Sequence, residues 1–304
     1  MVVKYSPVAL FVYRRPQHTL RTIQALQKNS GASETELVVF SDGPKTDSDR
    51  RAVQEVRDII GSIRGFRSVS FVNREKNLGL AESVIDGVTQ VLASHDRVIV
   101  VEDDIETSPY FLQYMNDALS FYENEERVIS IHGYIYPLAI APPETFLLKG
   151  ADCWGWATWK RGWNLFERDG GKLLVELRAK NLEHEFDLRG SYHYTKMLKE
   201  QVEHRVDSWA IRWHASAFLK DRLTLYPGRS LVRNIGHDDT GSHSEESTMF
   251  NIDLSSTPIT VARIPIVQDE RMLDDFGRFW RSSKPTVAQL LMKRAKRILK
   301  GLGA

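Results

Sequence analysis

The sequence predicts an α/β fold with a mostly parallel central sheet flanked by helices, and three observations indicate it. Strand-length apolar runs alternate with amphipathic helical segments over residues 8–122. The 304 residues, 42% of them apolar and 27% charged, suffice for a large core. The apolar run at residues 98–101 ends abruptly in three adjacent acids, as a buried parallel strand does where it emerges at the carboxyl edge of a sheet.

The first half of the chain consists of four strand-helix units. The predicted strands cover residues 8–13, 37–40, 69–72 and 98–101. Each is followed by apolar residues at helical spacing, and the helices are expected to begin near residues 16, 48, 81 and 109. Pro16 and Pro109 suit the first position of a helix, and Ser108 suits a helix cap. Because such units favour parallel strands, residues 1–132 are predicted to form one α/β half.

The pattern changes after a further predicted strand at residues 128–132. A Pro-rich loop ends the regular alternation, and residues 173–201 contain charged helices with a modest apolar stripe, which suggests a lid or an insertion. A short strand is predicted at residues 223–226. We expect residues 133–280 to complete the same domain and residues 281–304 to form a basic tail.

The acidic triplet Glu102, Asp103 and Asp104 is the central feature of the sequence. Repulsion among three carboxylates at the end of a buried strand is costly unless a cation or strong donors lie among them. Oxygen ligands suit Mn²⁺ or Mg²⁺, which usually keep water and substrate phosphates as further ligands. The triplet therefore predicts a metal and a nucleotide at this sheet edge. The alternative is a solvated turn whose charges favour the amino end of the next helix.

The turn after the first strand lacks the common phosphate-binding motifs. Residues 13–16 read Tyr-Arg-Arg-Pro, where a dinucleotide fold or a phosphate loop would place glycines. Phosphate charge must then be met elsewhere, and Arg14, Arg74 and Lys76 are candidates for the diphosphate. Asp42 follows the second strand at the same edge and is predicted to accept a hydrogen bond from a base or ribose, unless it only forms an Asp-Gly turn.

Two later segments also suggest a ligand site. Residues 153–163 contain four tryptophans, and indoles suit a ligand such as a sugar that has apolar faces and polar edges. Tryptophans also anchor cores, so only one or two need contact a ligand. The loop at residues 234–243 combines glycines, acids, His237 and His243, and a loop of this kind can close over a metal site.

Composition limits the partners of the chain. A formal net charge of +1 gives no overall electrostatic footprint for nucleic acid. The single cysteine, Cys153, excludes an internal disulfide framework and suggests a reducing compartment. No stretch approaches the roughly 20 apolar residues of a membrane-spanning helix. We therefore expect a cytoplasmic protein.

Taken together, these segments resemble the GT-A nucleotide-sugar glycosyltransferases. The order of strand, Asp-Gly turn, Asn-x-Gly segment, acidic triplet with Ser-Pro-Tyr-Phe, Trp-Gly-Trp segment, Asp-x-Trp segment and His loop is similar to that of the bacterial family 2-like group and of N-acetylglucosaminyltransferase I. The similarity spans roughly residues 7–243, and the triplet with its downstream Ser-Pro-Tyr-Phe is its specific part.

The resemblance implies an inverting, metal-dependent sugar transfer. Asp104 would bind Mn²⁺ or Mg²⁺ directly, Asp103 would face the ribose or the metal, and His243 rather than His237 would be the closing metal ligand. The expected donor is a nucleoside-diphosphate sugar, with UDP-sugar favoured, and the expected acceptor is a saccharide or a lipid-linked saccharide. The residues predicted to line the nucleotide-sugar site are Tyr13, Arg14, Asp42, Arg74, Asn77, Asp103 and Trp156.

Asp207 is the predicted general base. The family pattern has paired acids at this position, whereas this chain has Asp207 followed by Ser208, so Glu203 and His204 stay open as alternatives. Two other functions are also open. A sugar nucleotidyltransferase shares the metal and the architecture but should carry a glycine-rich basic loop after the first strand. A non-catalytic membrane-surface scaffold would explain the basic tail but not the triplet.

The tail carries seven basic residues and no acidic one from residue 281 onward. Drawn as a helix, it places apolar residues on one face and most basic residues on the other, as helices at a membrane interface do. We predict that it docks on an anionic membrane surface, where each basic residue contributes about 1 kcal/mol. The alternatives are a solvated helix and a helix packed on the domain.

Overall fold

The computed structural model describes residues 5–238 and 249–283. Two sheets form within these residues. Their strands are β1 (Val8–Val12), β2 (Glu36–Ser41), β3 (Ser68–Asn73), β4 (Arg97–Glu102), β5 (Ile105–Thr107), β6 (Val128–His132), β7 (Thr145–Lys149), β8 (Trp156–Trp159), β9 (Leu223–Pro227) and β10 (Val232–Asn234). The large sheet has eight strands in the order β3-β2-β1-β4-β8-β6-β9-β7, and β5 pairs with β10 in a separate ribbon.

Helices flank the large sheet. They are α1 (Pro16–Gln27), α2 (Arg50–Gly61), α3 (Leu80–Ser94), α4 (Phe111–Phe121), α5 (Lys160–Trp163), α6 (Gly170–Ala179), α7 (Glu183–Phe186), α8 (Tyr194–Val202), α9 (Trp209–Leu219) and α10 (Glu270–Ser283). The predicted start of α1 at Pro16 is confirmed. Helix α4 begins two residues after the predicted position, and the Ser108 hydroxyl donates to the carbonyl of Ser255 and accepts from the amide of Tyr110 at 3.3 Å.

The predicted fold class, a mixed α/β fold on a mostly parallel sheet, is confirmed. Strands β3, β2, β1 and β4 pair in parallel, and β6 and β9 run in the same direction. Only β7 and β8 run the other way within the sheet. Strands from both sides of residue 132 therefore share one sheet, and the carboxyl ends of six strands point to one edge.

Side chains of the buried strands alternate between two cores. In β1, Val8, Leu10 and Val12 face a core that includes residues of α1, α2 and α4. Ala9 and Phe11 face the opposite core, which includes residues of α3 and α9. This alternation follows from the period of two along a strand, and it explains why an uninterrupted apolar run is needed in a sheet covered on both faces.

The tryptophan-rich segment forms an antiparallel strand in the middle of the sheet. Strand β8 lies between β4 and β6, with Val100 opposite Trp156 and Ile131 opposite Ala157. The loop that precedes β8 therefore lies beside the acidic end of β4. Helices α6, α7 and α8 pack with α9 around a separate small core that includes Leu177, Phe186 and Leu198.

The structure describes the basic tail that is predicted to dock on a membrane only as far as residue 283. The rest of the tail, residues 284–304, lies outside the described residues. Within the residues that are described, no helix is both long enough and apolar enough to cross a bilayer. Membrane docking of the tail stays a prediction.

Candidate functional site

The carboxyl ends of three neighbouring strands bring the predicted acidic residues together. In the register of the sheet, Val12 at the end of β1 lies opposite Ser41 of β2, and Phe11 lies opposite Glu102 of β4. Asp42 and Asp103 follow those strand ends directly. Open α/β sheets bind ligands at this edge, so the acidic edge is the candidate site.

An arginine lies among the carboxylates of the acidic edge. Arg15 Nη1 is 2.9 Å from Asp104 Oδ2 and 4.0 Å from Asp103 Oδ1. Arg15 Nη2 is 3.3 Å from Asp238 Oδ1. The arginine side chain is only 13% exposed. Carboxylates from two distant parts of the chain thus converge on one cationic group, as expected where a cation must offset their repulsion.

The ribbon of β5 and β10 positions the loop that carries Asp238. Asn234 pairs with Ile105, and the amide of Ile235 donates to the carbonyl of Asp104 at 2.8 Å. Gly236 then passes so close that a Cβ atom there would lie 2.2 Å from Asp104 Oδ2. A side chain at this position would therefore displace the Asp104 carboxylate. The predicted His loop therefore does reach the acidic edge at its first residues.

Burial and mutual repulsion raise the pKa values of the acids at this edge. For Asp103, burial is the largest cause and the Asp104 carboxylate the next, and together they raise the pKa to about 7, although Arg15 and the Tyr13 amide oppose them. Burial, Asp104 and Asp103 also raise the pKa of Glu102 well above its usual range. The edge is therefore an unfavourable place for anionic carboxylates that lack a strong counter-charge.

This electrostatic strain predicts a pH dependence of stability. Between about pH 4, the usual pKa of aspartate, and about pH 7, folded Asp103 keeps a proton that the unfolded chain has released. The metal-free protein should therefore lose free energy of unfolding as the pH rises through this range. Asp103→Asn cannot ionise and should lose less. Urea unfolding in EDTA near pH 5 and pH 8 checks this, and equal losses in both proteins would contradict it.

The carboxylate oxygens of the acidic edge suit a hard divalent ion, although the cation that lies among them in this structure is the Arg15 side chain. Within the described residues, no three His, Cys, Asp or Glu side chains lie close enough together to hold an ion by themselves. Asp104 and Asp103 nevertheless offer carboxylate oxygens that converge on one point, which is the chemistry that Mn²⁺ and Mg²⁺ prefer. The residues therefore fit such an ion, provided that further ligands complete its shell.

The structure describes one of the two histidines of this loop, His237. His237 packs its ring against Trp154 and Phe250, with centroids 5.5 and 5.1 Å apart. Burial is the largest influence on its pKa and lowers it, while Asp104 opposes this. His237 is thus near the acidic edge and favours the neutral form. His243, the predicted metal ligand, lies outside the described residues.

Asp42 organises the neighbouring loop through its carboxylate. It is 5% exposed, and its Oδ1 accepts from the amides of Gly43 and Leu78, each at 2.9 Å. Its Oδ2 accepts from the amide of Gly79 at 3.1 Å. Asn77 Nδ2 donates to the carbonyl of Gly43 at 2.9 Å. The predicted Asp-Gly turn and Asn-x-Gly segment are therefore bonded to each other, and base recognition by Asp42 stays a prediction.

The other polar residues predicted at the nucleotide site have protein partners. Arg14 pairs with Asp49 at 2.5 Å, and the Tyr13 hydroxyl donates to the same carboxylate at 3.0 Å. Arg74 pairs with Asp86 of α3 at 2.7 Å. Arg14 is 47% exposed and could turn toward a ligand, whereas Arg74 is 9% exposed. In this arrangement, Arg74 ties the loop before α3 to that helix.

Trp156 does not fit its predicted role. Its side chain is 0% exposed and packs among Trp163, Trp209 and Trp213. An indole enclosed on all sides cannot stack on a ligand. Trp154, two residues earlier, is partly buried and lines a cavity instead. The sequence did not show where β8 begins: Trp156 is its first residue and enters the core, whereas Trp154 lies in the loop before it.

Asp207 lies beside the loop that Asp42 holds. Gly79 has a φ of +79°, and a Cβ atom there would lie 3.3 Å from Asp207 Oδ2. Asp207 is exposed and directly precedes Ser208, whose hydroxyl accepts from the amide of Ile211 and caps α9. The alternative base Glu203 is paired with Arg205 and lies 3.8 Å from Lys199. Of these two acids, Asp207 is the one that lies beside the loop held by Asp42.

Comparisons with other proteins give no family. No family model and no curated protein matches the chain. Among solved structures, it is similar to TarS 1–349 from S. aureus, with 12% identity over 76% of this chain and 60% of that chain, at a TM-score of 0.41. A longer S. aureus TarS chain gives 13% identity over 77% and 37%, at a TM-score of 0.42.

A third similar structure is the mannosyltransferase PcManGT from Pyrobaculum calidifontis in complex with GDP-Man and Mn²⁺. The identity is 12% over 72% of this chain and 70% of that chain, and the TM-score is 0.41. The chain spans only 60% and 37% of the two TarS chains. At this distance the function must be argued from the site itself.

Proposed function

We propose that this protein is a metal-dependent, inverting glycosyltransferase that uses a nucleoside-diphosphate sugar. The observation that carries the proposal is that Asp103 and Asp104 approach one nitrogen of the Arg15 guanidinium, and Asp238 the other, at the carboxyl edge of a parallel sheet. Such an edge binds nucleotides in many α/β proteins, and a carboxylate-bound divalent ion is the usual partner of a diphosphate. The acceptor is a saccharide or a lipid-linked saccharide, and UDP-sugar is the favoured donor.

Asp104 is the proposed direct ligand of Mn²⁺ or Mg²⁺, with Asp103 beside it and His243 closing the site. When bound, the ion supplies a Lewis acid that neutralises charge on the departing nucleoside diphosphate. The loop of Asn77, Leu78 and Gly79 lies beside the same edge and is the proposed platform for the base and ribose. Asp42 contributes by holding that loop in place.

Asp207 is the proposed general base for the acceptor hydroxyl. The hydroxyl oxygen forms a bond to the anomeric carbon as the bond from that carbon to the diphosphate oxygen breaks, and its proton passes to Asp207. The electron pair of the broken bond leaves with the nucleoside diphosphate. Asp207 lies beside Gly79, which has no side chain to separate the carboxylate from the loop of Asn77 to Gly79. This position supports the role. Alignment of donor and acceptor should supply much of the rate.

Product analysis distinguishes this function from the two alternatives. The protein is incubated with Mn²⁺ and a panel of UDP- and GDP-sugars, with and without saccharide acceptors, and the phosphate products are identified by ³¹P NMR. A glycosyltransferase releases nucleoside diphosphate, by transfer or by slow hydrolysis. A sugar nucleotidyltransferase, tested with sugar 1-phosphate and nucleoside triphosphate, releases pyrophosphate. A scaffold releases neither, and either of the last two outcomes would contradict the proposal.

The basic tail is proposed to bring the enzyme to a lipid-linked acceptor. Deleting residues 285–304 should abolish co-sedimentation with anionic liposomes at low salt, since the tail holds the local excess of positive charge. High salt should release the full-length protein because it screens the same charges. Nucleoside diphosphate release from a soluble donor should be unchanged by the deletion. Equal sedimentation of both proteins would contradict membrane docking without affecting the catalytic proposal.

A further inference from the structure

A cavity of about 200 Å³ lies beside the acidic edge and has aromatic walls. It is located where β6 ends and before β8 begins, and α9 and α10 also contribute to its lining. We call it the aromatic pocket, and its rings are those of Tyr134, Tyr136, Trp154, Tyr192, Tyr194 and Trp280. A cavity of this volume has space for a small ligand such as one sugar ring.

Among the described residues that line the aromatic pocket, Asp152 is the one acid, and none is a lysine or an arginine. Its Oδ2 accepts a hydrogen bond from the Tyr226 hydroxyl at 2.9 Å. Within the part of the chain that the structure describes, Asp152 has no ion pair. A partly buried carboxylate without a counter-cation is costly unless donors satisfy its oxygens. Its remaining acceptor positions suit donors that come with a ligand.

The two histidines of the pocket give it no positive charge near neutral pH. Burial lowers the pKa of His132 to about 4 and also lowers that of His214, in both cases against the opposing effect of Asp152. His132 Nε2 accepts from the amide of Trp154 at 3.2 Å, which the neutral ring permits. An anionic ligand would therefore meet the Asp152 carboxylate, and the lining residues that the structure describes offer no cation to offset it.

Residues that line the aromatic pocket are neighbours of residues at the acidic edge. Trp154, one wall of the pocket, contacts the His237 ring at 5.5 Å, and the Asp104 charge influences the pKa of His237. Cys153 also lines the pocket. Burial raises the pKa of its thiol, and the charges of Glu102 and Asp104 raise it further. A ring held in the pocket would thus lie on the side of Trp154 and Cys153 that is near the acidic edge.

We propose that the aromatic pocket binds one uncharged pyranose ring, whose hydroxyls donate to Asp152 and whose apolar face packs on the surrounding aromatic side chains. Tyrosine and tryptophan suit such a ligand because each combines an apolar ring with a polar atom. The charge of Asp152 makes the pocket select against acidic sugars such as glucuronate. The inference deepens the proposed function, because the ring would be either the sugar of the donor or that of the acceptor.

Ligand binding by saturation-transfer NMR tests the pocket without requiring turnover. The probes are glucose, N-acetylglucosamine, mannose, glucuronate and tetramethylammonium, and separately UDP-glucose against UDP and GDP-mannose against GDP. The variants are Asp152→Asn, which is isosteric, and Tyr226→Phe, which keeps the carboxylate but removes its protein donor. The thermal unfolding midpoint of each variant shows whether it is folded.

At least one neutral sugar, free or nucleotide-linked, should bind about 10- to 100-fold more weakly to Asp152→Asn, because hydrogen bonds to a charged group are lost. Tyr226→Phe should retain binding within about threefold. Loss confined to free sugars identifies the acceptor as the source of the ring, and loss confined to UDP-glucose or GDP-mannose identifies the donor. In both cases UDP and GDP should bind Asp152→Asn and the parent equally.

Three results would overturn the inference. They are sugar binding that is unaffected by Asp152→Asn, glucuronate binding as tight as that of glucose, and tetramethylammonium binding tighter than that of any neutral sugar and dependent on Asp152. The last would indicate an aromatic cage for organic cations instead. None of these results bears on nucleoside diphosphate release. Failure of the pocket is therefore distinguishable from failure of the proposed function.

Discussion

Asp104→Asn is expected to lower kcat/KM for nucleoside diphosphate release by more than about 100-fold. Asparagine has nearly the same shape but lacks the charge that would hold a divalent ion against the diphosphate, and loss of such an ion removes roughly 3 kcal/mol or more of transition-state stabilisation. The parent protein should lose activity in EDTA to a similar extent. Steady-state kinetics with the donor identified in the panel measure both effects.

Two further variants make this test specific. Gly236→Ala places a Cβ atom 2.2 Å from Asp104 Oδ2, so it should displace the carboxylate and reduce activity although it removes no polar group. Asp58→Asn on the exposed surface of α2 removes one negative charge far from the acidic edge and should leave kcat/KM within about twofold of the parent. Full activity of Asp104→Asn, or of the parent in EDTA, would contradict the metal role.

Asp207→Asn is expected to lower kcat by a factor of about 10² to 10⁴, because general-base catalysis contributes about that much. Asp207 is exposed and lies beside Gly79 without holding the loop of Asn77 to Gly79 as Asp42 does, so we expect donor affinity to stay nearly unchanged. The measurements are kcat with acceptor present and the dissociation constant of the donor by calorimetry. A fall in kcat with intact donor binding separates a catalytic residue from one that shapes the donor site.

Glu203→Gln is the matched control for the general base. Glu203 is exposed, like Asp207, but it pairs with Arg205 on the surface, so its neutralisation should change kcat by less than about threefold. The assignment of the base is wrong if Asp207→Asn leaves kcat nearly unchanged while Glu203→Gln lowers it by the factor expected for Asp207→Asn. His204→Gln tests the remaining alternative in the same assay.

Local patterns in the sequence predicted the parallel half of the fold well. Strands β1 to β4 lie within one residue of their predicted bounds, and helices α1 to α3 begin within two residues of the predicted positions. The sequence did not predict that β8 would insert between β4 and β6, because that pairing joins residues far apart in the chain and the tryptophans there suggested a ligand. Nor did it predict the ribbon of β5 and β10, which brings Gly236 and Asp238 to Asp104.

The site was predictable in position but not in detail. Residues after parallel strands must share an edge, so Asp42 and Asp103 could be placed together from sequence alone. Which partner each polar side chain takes depends on tertiary contacts. Arg74 pairs with Asp86, and Arg15, an arginine to which no role was assigned from sequence, lies among the carboxylates. Asp152 could not be recognised because it is one acid in an aromatic segment, and only the folded chain forms a pocket around it.

A crystal structure of the protein with Mn²⁺ and the nucleoside diphosphate of its donor tests the proposed donor site most directly. Anomalous scattering at the manganese edge locates the ion independently of any assumption about its ligands. We expect one peak against the Asp104 carboxylate, with the diphosphate on the ion and the base beside the loop of Asn77 to Gly79. A nucleotide bound away from this edge, or an ion peak remote from Asp104, would contradict the proposal.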